Sequence, residues 1–370
     1  MKFQEFTLER IQSLYENTVE HNLSDSGVHP YTLRELLSPN QLASLLDVEL
    51  GYGWTNGGTE LRQSVANLYE NRTPDDVIIT NGSAEANFLL VMSVLNPGDD
   101  LIVFVPNYLQ MWGWAKALGV NVVEVQLCEE LGWLPYMDEL RAAITPRTKM
   151  ITICHPNNPT GSLLDEAAMT ELVDISREHD LYLHADEVYR GSELDGRETA
   201  TFADLYEKAI VTAGLSKALA LPGLRIGWLV GSADVIYTCW QAKDYTSITT
   251  SAISEYVANI VIQPEKRAEV LNRSRTLLNA NVDLLSSWLQ ENNQYSCHLP
   301  KAGGMAFMRY AMPINSTKLI HEIREKRSIM LLPGDVYGLD GYIRIGIGAP
   351  IEHLRVGLKE LSDYTKSNFG

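Results

Sequence analysis

Residues 150–161 read MITICHPNNPTG and residues 181–190 read LYLHADEVYR. Each begins as an apolar run of strand length and ends in a cluster of turn-forming and ionisable residues. Met150–His155 and Leu181–Ala185 show no polar alternation, the pattern of a strand covered on both faces. The stretch between them is amphipathic, so the pair reads as strand, helix, strand, and hence as part of a parallel sheet. Working outward, the same signal recurs at Val77–Asn81, Leu101–Pro106, Val120–Leu127, Ile210–Ala213 and Ile226–Val230. Together they predict an α/β fold with a seven-stranded, mainly parallel sheet between helical layers. Both termini read differently: a long helical pattern, then short strands at Ala306–Tyr310 and Tyr342–Ile347, predict a smaller α+β domain built from both ends of the chain. The expected division is an N-terminal lid or arm over 1–45, a large domain over 46–274 and a C-terminal small domain over 275–370.

In open α/β sheets ligands gather beyond the carboxyl ends of the strands. Those ends carry, in order, Asn81-Gly82-Ser83-Ala84-Glu85, Pro106-Asn107-Tyr108, His155-Pro156-Asn157-Asn158-Pro159-Thr160-Gly161, Asp186-Glu187-Val188-Tyr189-Arg190 and Ser216-Lys217, followed by Leu221-Pro222-Gly223-Leu224-Arg225. Singly, each has a plain structural reading: Asn-Asn-Pro-Thr-Gly is a good turn, and a lysine after a strand is a solvated cation. As an ordered set they make joint sense around pyridoxal 5′-phosphate. A lysine can hold the cofactor aldehyde as a Schiff base while an aspartate keeps the pyridine nitrogen protonated, and Lys217 with Asp186 form such a pair. Asn158 and Tyr189 can hydrogen-bond the ring hydroxyl, and Tyr108 can stack on the ring. Gly82, Ser83 and Ala84 open a helix after a strand, which suits a phosphate. Ser216 and Arg225 add a hydroxyl and a bidentate guanidinium.

These motifs, with Gly51-Tyr52-Gly53 and Gly58-Thr59-Glu60-Leu61-Arg62 ahead of them, resemble fold-type I pyridoxal-phosphate enzymes, the aspartate aminotransferase superfamily, class I/II. The resemblance spans essentially the whole chain. It implies that Lys217 is the Schiff-base lysine and the base at Cα. It further implies that Tyr52 reaches the phosphate of a neighbouring subunit in a homodimer with shared sites. Arg344, within Tyr342-Ile343-Arg344-Ile345-Gly346, matches the arginine that clamps the substrate α-carboxylate.

The N-terminal run Asn22-Leu23-Ser24-Asp25-Ser26-Gly27-Val28-His29-Pro30-Tyr31 is similar to that of the capreomycidine synthase and pyridoxal-phosphate- and O₂-dependent arginine oxidase subgroup. There an N-terminal helix covers the site and a histidine serves the oxidation, a role the resemblance carries to His29. An imidazole, with an ordinary pKa of about 6.5, can shuttle protons to reduced oxygen; the plainer reading is that His29 packs in the lid. Glu16, Glu20 and Asp25 lie within reach to recognise a guanidinium, though each reads equally as a surface charge. Against an oxidase stand the transaminase-type Asp186-Glu187-Val188-Tyr189 and Gly214, where some arginine hydroxylases carry an acid. The expected activity is O₂-using oxidation of L-arginine, releasing ammonia and H₂O₂. The alternatives are amino-group exchange with a 2-oxo acid and a capreomycidine-synthase-like cyclisation. A pyridoxal-phosphate-binding regulatory domain without turnover is a further class, for which no helix-turn-helix appendage or basic patch is found.

The composition agrees with a small-molecule enzyme. Of 370 residues, 30 are Lys or Arg and 47 Asp or Glu, a net charge of −17, which argues against nucleic acid or an anionic membrane as partner. Cys128, Cys154, Cys239 and Cys297 show no CxxC and no histidine at ligand spacing, so neither a disulfide framework nor a metal site is expected. The opening MKFQEFTLERIQ has no apolar core of a signal peptide, and a cytoplasmic location is expected.

Overall fold

Fully buried strands alternating with half-buried helices build the centre of the molecule. The computed structural model describes residues 2–369. The arm carries a helix, Thr7–Tyr15, and a two-residue strand β1 (His21–Asn22). The large domain holds β2 (Val77–Asn81), β3 (Asp100–Val105), β4 (Asn121–Cys128), β5 (Leu134–Pro135), β6 (Thr148–Cys154), β7 (Tyr182–Asp186), β8 (Ala209–Gly214) and β9 (Ile226–Val230). They form one sheet in the order β2-β9-β8-β7-β6-β3-β4-β5. β4, β3, β6, β7 and β8 are parallel, while β9 runs antiparallel to both β8 and β2.

All seven expected strands are present. The sheet has an eighth, β5, at its edge: two residues ending in a proline offer no periodicity to read. Every residue of β3, β8 and β9 is buried, which is why those runs are apolar without alternation. β4 runs to β5 on one side of β3, and β6, β7 and β8 follow on the other. The chain therefore reverses its direction of sheet growth between β3 and β6, where open sheets bind ligands.

The second unit is an antiparallel sheet of β10 (Tyr295–Cys297), β11 (Met305–Tyr310), β13 (Leu332–Pro333) and β14 (Tyr342–Gly346), in the order β10-β11-β14-β13. β12 (Ile329–Met330) pairs instead with β1, His21 opposite Ile329, which ties the arm to this unit. Leu23 and Val28 of the arm join a core with Leu278, Leu285, Trp288, Ile345, Leu354 and Leu358. Gly357 has no side chain because Leu23 occupies the space: a Cβ there would stand 2.3 Å from Leu23 Cδ1. The helix Pro264–Glu291 runs unbroken through residue 275, so the boundary expected there falls inside one element.

Candidate active site

One cavity of about 290 Å³ opens at the reversal point, lined from β3, β6, β7 and β8 ends and by the arm. At one end, the helix Ser83–Val94 presents its first backbone N–H groups. Gly82 caps it at φ +75°, and a Cβ there would lie 2.3 Å from Arg225 Nη2. Gly227 is held small by the same helix start, since its Cβ would meet Ser83 N at 2.4 Å. Arg225, itself left-handed at φ 53°, donates from Nη1 to Pro222 O (2.9 Å) and Ser216 Oγ (3.5 Å). Helix terminus, guanidinium and hydroxyl together make an anion cradle.

At the other end, Asp186 closes β7. Its carboxylate accepts from Val188 N (3.3 Å) and Asn87 Nδ2 (3.5 Å), and no cation lies within ion-pair distance among the described residues. Burial raises its pKa to about 6. Such a carboxylate gains from a cationic ring nitrogen placed against it. Beneath it, His184 bridges Thr152 and Thr212 across the sheet at 2.7 and 3.0 Å, and burial lowers its pKa to about 3, so the imidazole is neutral. Nothing in the sequence marked His184 beyond a polar residue inside an apolar strand.

Between the two ends stands Lys217, with Nζ 3.5 Å from Asp25 Oδ1. The ammonium holds the Asp25 carboxyl below its ordinary range. A hydrogen-bonded chain borders the cavity. Tyr189 donates to Ser26 Oγ (2.8 Å) and accepts from Asn158 Nδ2 (3.1 Å), and Arg344 Nη1 donates to Asn158 Oδ1 (2.9 Å). Arg344 is buried, its Nη2 donating to Ser24 O. Its Nε and the nearby Tyr337 hydroxyl are buried without partners, which leaves donors for a carboxylate. The Tyr108 hydroxyl donates to Glu9 Oε1 at 2.7 Å.

The cavity brings together Ser83, Ala84, Tyr108, Asn158, Asp186, Tyr189, Ser216, Lys217, Arg225 and Arg344, with Gly82 at its rim. An acid at one end, an anion cradle at the other and a lysine between them fit pyridoxal phosphate. Four expected residues lie elsewhere. His29 does not line this cavity but a neighbouring cleft of about 320 Å³ with Asp25 and His353. The reason is the path of the arm: Gly27 packs on the Lys217 side chain, Val28 plunges into the second core, and the chain then leads His29 outward, its carbonyl held by Arg273. Glu16 also lies off the cavity wall, at the end of the arm helix. Burial raises its pKa, with the charges of Asp25 and Glu9 adding. Tyr52 is 88% exposed and outside the cavity. The Glu20 backbone N–H donates to Ser328 Oγ (2.9 Å), and the residue does not line the cavity. Sequence reasoning missed Glu9 and Gln12. Their spacing with Glu16 places all three on one helix face, but nothing in that spacing tells a face toward a cavity from one toward solvent.

The chain belongs to the family of class I and II aminotransferases, whose model matches residues 22–361, and it is a pyridoxal-phosphate enzyme of that family. It is 30% identical to capreomycidine synthase of Streptomyces vinaceus over 348 residues, 92% of this chain and 89% of that protein. It is 27% identical over 331 residues to an arginine–pyruvate transaminase of Pseudomonas aeruginosa, 86% of this chain and 83% of that one. A solved pyridoxal-phosphate-dependent aminotransferase from Streptococcus suis superposes with a TM-score of 0.94 at 32% identity, covering 99% of both chains. Among the described residues no helix is long and apolar enough to cross a membrane.

Proposed function

We propose that this enzyme exchanges the amino group of a cationic amino acid of the arginine class with a 2-oxo acid. The observation that carries the reading is the set of charges around Lys217: the buried guanidinium of Arg344 with its unpartnered Nε, and the carboxylates of Asp25 and Glu9, with Glu16 just beyond the cavity wall. A substrate with a carboxylate at one end and a cation at the other matches that polarity. The similarity to an arginine–pyruvate transaminase supports it.

In this reading Lys217 holds the cofactor and moves the proton at Cα. Asp186 keeps the ring nitrogen charged, Asn158 and Tyr189 hold the ring hydroxyl, and Tyr108 stacks on the ring. Gly82, Ser83, Ala84, Ser216 and Arg225 bind the phosphate, joined by Tyr52 of a second copy. Bound there, the cofactor would supply an electron sink for the substrate. Arg344 orients the α-carboxylate through its free Nε, and the arm excludes water by covering the cavity with Leu8, Glu9 and Gln12.

O₂-using oxidation of L-arginine is the second reading. It is favoured by the placing of Asp25, Ser26 and Gly27 directly on Lys217 and Tyr189. Against it, no imidazole lines the cavity of Lys217 among the described residues. Holoenzyme incubated with L-arginine, with and without O₂ and pyruvate, separates the two. Keto-acid-dependent turnover without oxygen uptake is the result expected; oxygen uptake with peroxide release and no need for a keto acid would transfer the assignment to the oxidase.

A further inference from the structure

Lys243 is completely buried, at the end of the helix Ala233–Lys243, and no carboxylate comes within ion-pair distance among the described residues. Its ammonium instead donates to two backbone carbonyls from different loops, Thr55 O at 2.9 Å and Ile248 O at 2.7 Å. Burying a cation against neutral acceptors is costly, and burial depresses its pKa. Ile248 adds strain, being a β-branched residue at φ 64°.

What Lys243 holds is unusual as well. The Thr55 loop is fastened from four sides: Trp240 Nε1 to Thr55 Oγ1 (2.6 Å), Lys243 to Thr55 O, Ile79 N to Asn56 O (3.0 Å) and Gly58 N to Glu255 Oε2 (3.0 Å). Immediately before it, residues 49–53 make no hydrogen bond among the described residues and carry Leu50 and Tyr52 at 81% and 88% exposure. The Ile248 loop likewise carries Tyr245 at 92% exposure. It borders the phosphate cradle of its own chain, since Asn81 Nδ2 donates to Thr249 O (3.1 Å) and Thr246 Oγ1 to Glu85 Oε1 (2.6 Å). A firmly anchored loop base thus projects a tip without hydrogen bonds among the described residues that carries exposed Leu50 and Tyr52.

We propose that Lys243 is a positioning residue for the partner's active site: by clamping Thr55 and Ile248 it sets the angle at which Tyr52 reaches the cofactor phosphate of a second copy of this chain. The inference rests on the shared-site reading of Tyr52. It makes Lys243 act across the subunit boundary, although it touches no cofactor.

The test compares pyridoxal 5′-phosphate with pyridoxal, which lacks the phosphate, on the full-length protein. Lys243→Met is expected to weaken binding of the phosphorylated cofactor roughly tenfold to hundredfold, the scale of a lost charge-assisted contact, with pyridoxal unaffected. Tyr52→Phe is expected to do the same, and the double variant to be no worse than either alone. Lys243→Arg, which retains a cationic donor, should restore most of the affinity. Trp240→Phe, which loosens only the Thr55 side chain, should give a smaller loss with the same phosphate selectivity even if Lys243→Met does not fold. Hybrid dimers then locate the effect. With Lys243→Met on a chain that also carries Lys217→Ala, the surviving lysine site on the wild-type chain should bind weakly. With the two changes on opposite chains, the surviving site keeps an intact Tyr52 loop from its partner and should bind clearly more tightly than in the first hybrid, whatever the Ile248 loop adds to its own cradle; equal binding in the two hybrids would overturn the proposal. Equal losses for both cofactors, or the reverse hybrid pattern, would overturn the proposal. A monomer in light scattering, or Tyr52→Phe without effect on either cofactor, would instead remove the shared-site reading beneath it.

Discussion

Asp25 is the residue in which charge and position meet. It contacts Lys217 at 3.5 Å yet keeps its side chain 60% exposed, so it stands between the cavity and the cleft of His29. Asp25→Asn is therefore expected to raise KM for arginine by roughly tenfold to hundredfold while leaving KM for alanine within about twofold, read from initial rates with both donors. Asp186 predicts a pH dependence. Its carboxyl titrates near 6 in the folded protein against 3.8 for the exposed group, so the folded state binds the extra proton between those values. Stability of the cofactor-free enzyme accordingly falls as pH rises through that window, by about 3 kcal/mol once the group is fully charged. A bound ring cation relieves that cost. The gain in Tm on adding pyridoxal phosphate should grow from pH 5 to pH 7, and Asp186→Asn should flatten it. An equal gain at both pH values in the native enzyme would contradict the assignment.

Among the elements, the junction of β2 with the helix Ser83–Val94 carries most of the phosphate chemistry. Gly82 has a positive φ and Arg225 directly over its missing Cβ, so Gly82→Ala must both strain the cap and push the guanidinium aside. The expected outcome is at least roughly tenfold weaker binding of pyridoxal phosphate with little change for pyridoxal, measured by fluorescence titration. Such junctions were legible from sequence. A fully buried strand must be apolar, and the first polar residue past its carboxyl end must face whatever lies at the sheet's edge. Asn81, Tyr108, Asn158, Asp186 and Lys217 could all be placed on that rule. The arm helix could not, because its polar face points at a cavity rather than at solvent, and a sequence pattern shows no difference between the two. Glu9, bonded to Tyr108, was lost for that reason.

In the whole molecule, the arm is the strap that joins the two units. β1 pairs with β12, Leu23 fills the space left by Gly357, and Ser26 reaches Tyr189 across the site. Leu23→Ala should cost about 2–5 kcal/mol in urea unfolding, and cofactor retention should weaken with it because Ser24, Asp25 and Ser26 follow Leu23 directly. An unchanged unfolding midpoint would show that the strap is dispensable.

The sheet, the order of residues at its edge and the kind of cofactor they suit were readable along the chain, since these depend on burial and on chemistry local to each strand end. Which charges share a cavity was not, and followed from the fold in three dimensions. It turned His29 away because Gly27 and Val28 direct the chain outward. It set Arg344 against Asn158 across 186 residues of chain, and it gave one buried lysine the hold on two loops. Those outcomes depend on where distant segments cross, and that is settled by the packing of the two cores, not by any local run of residues.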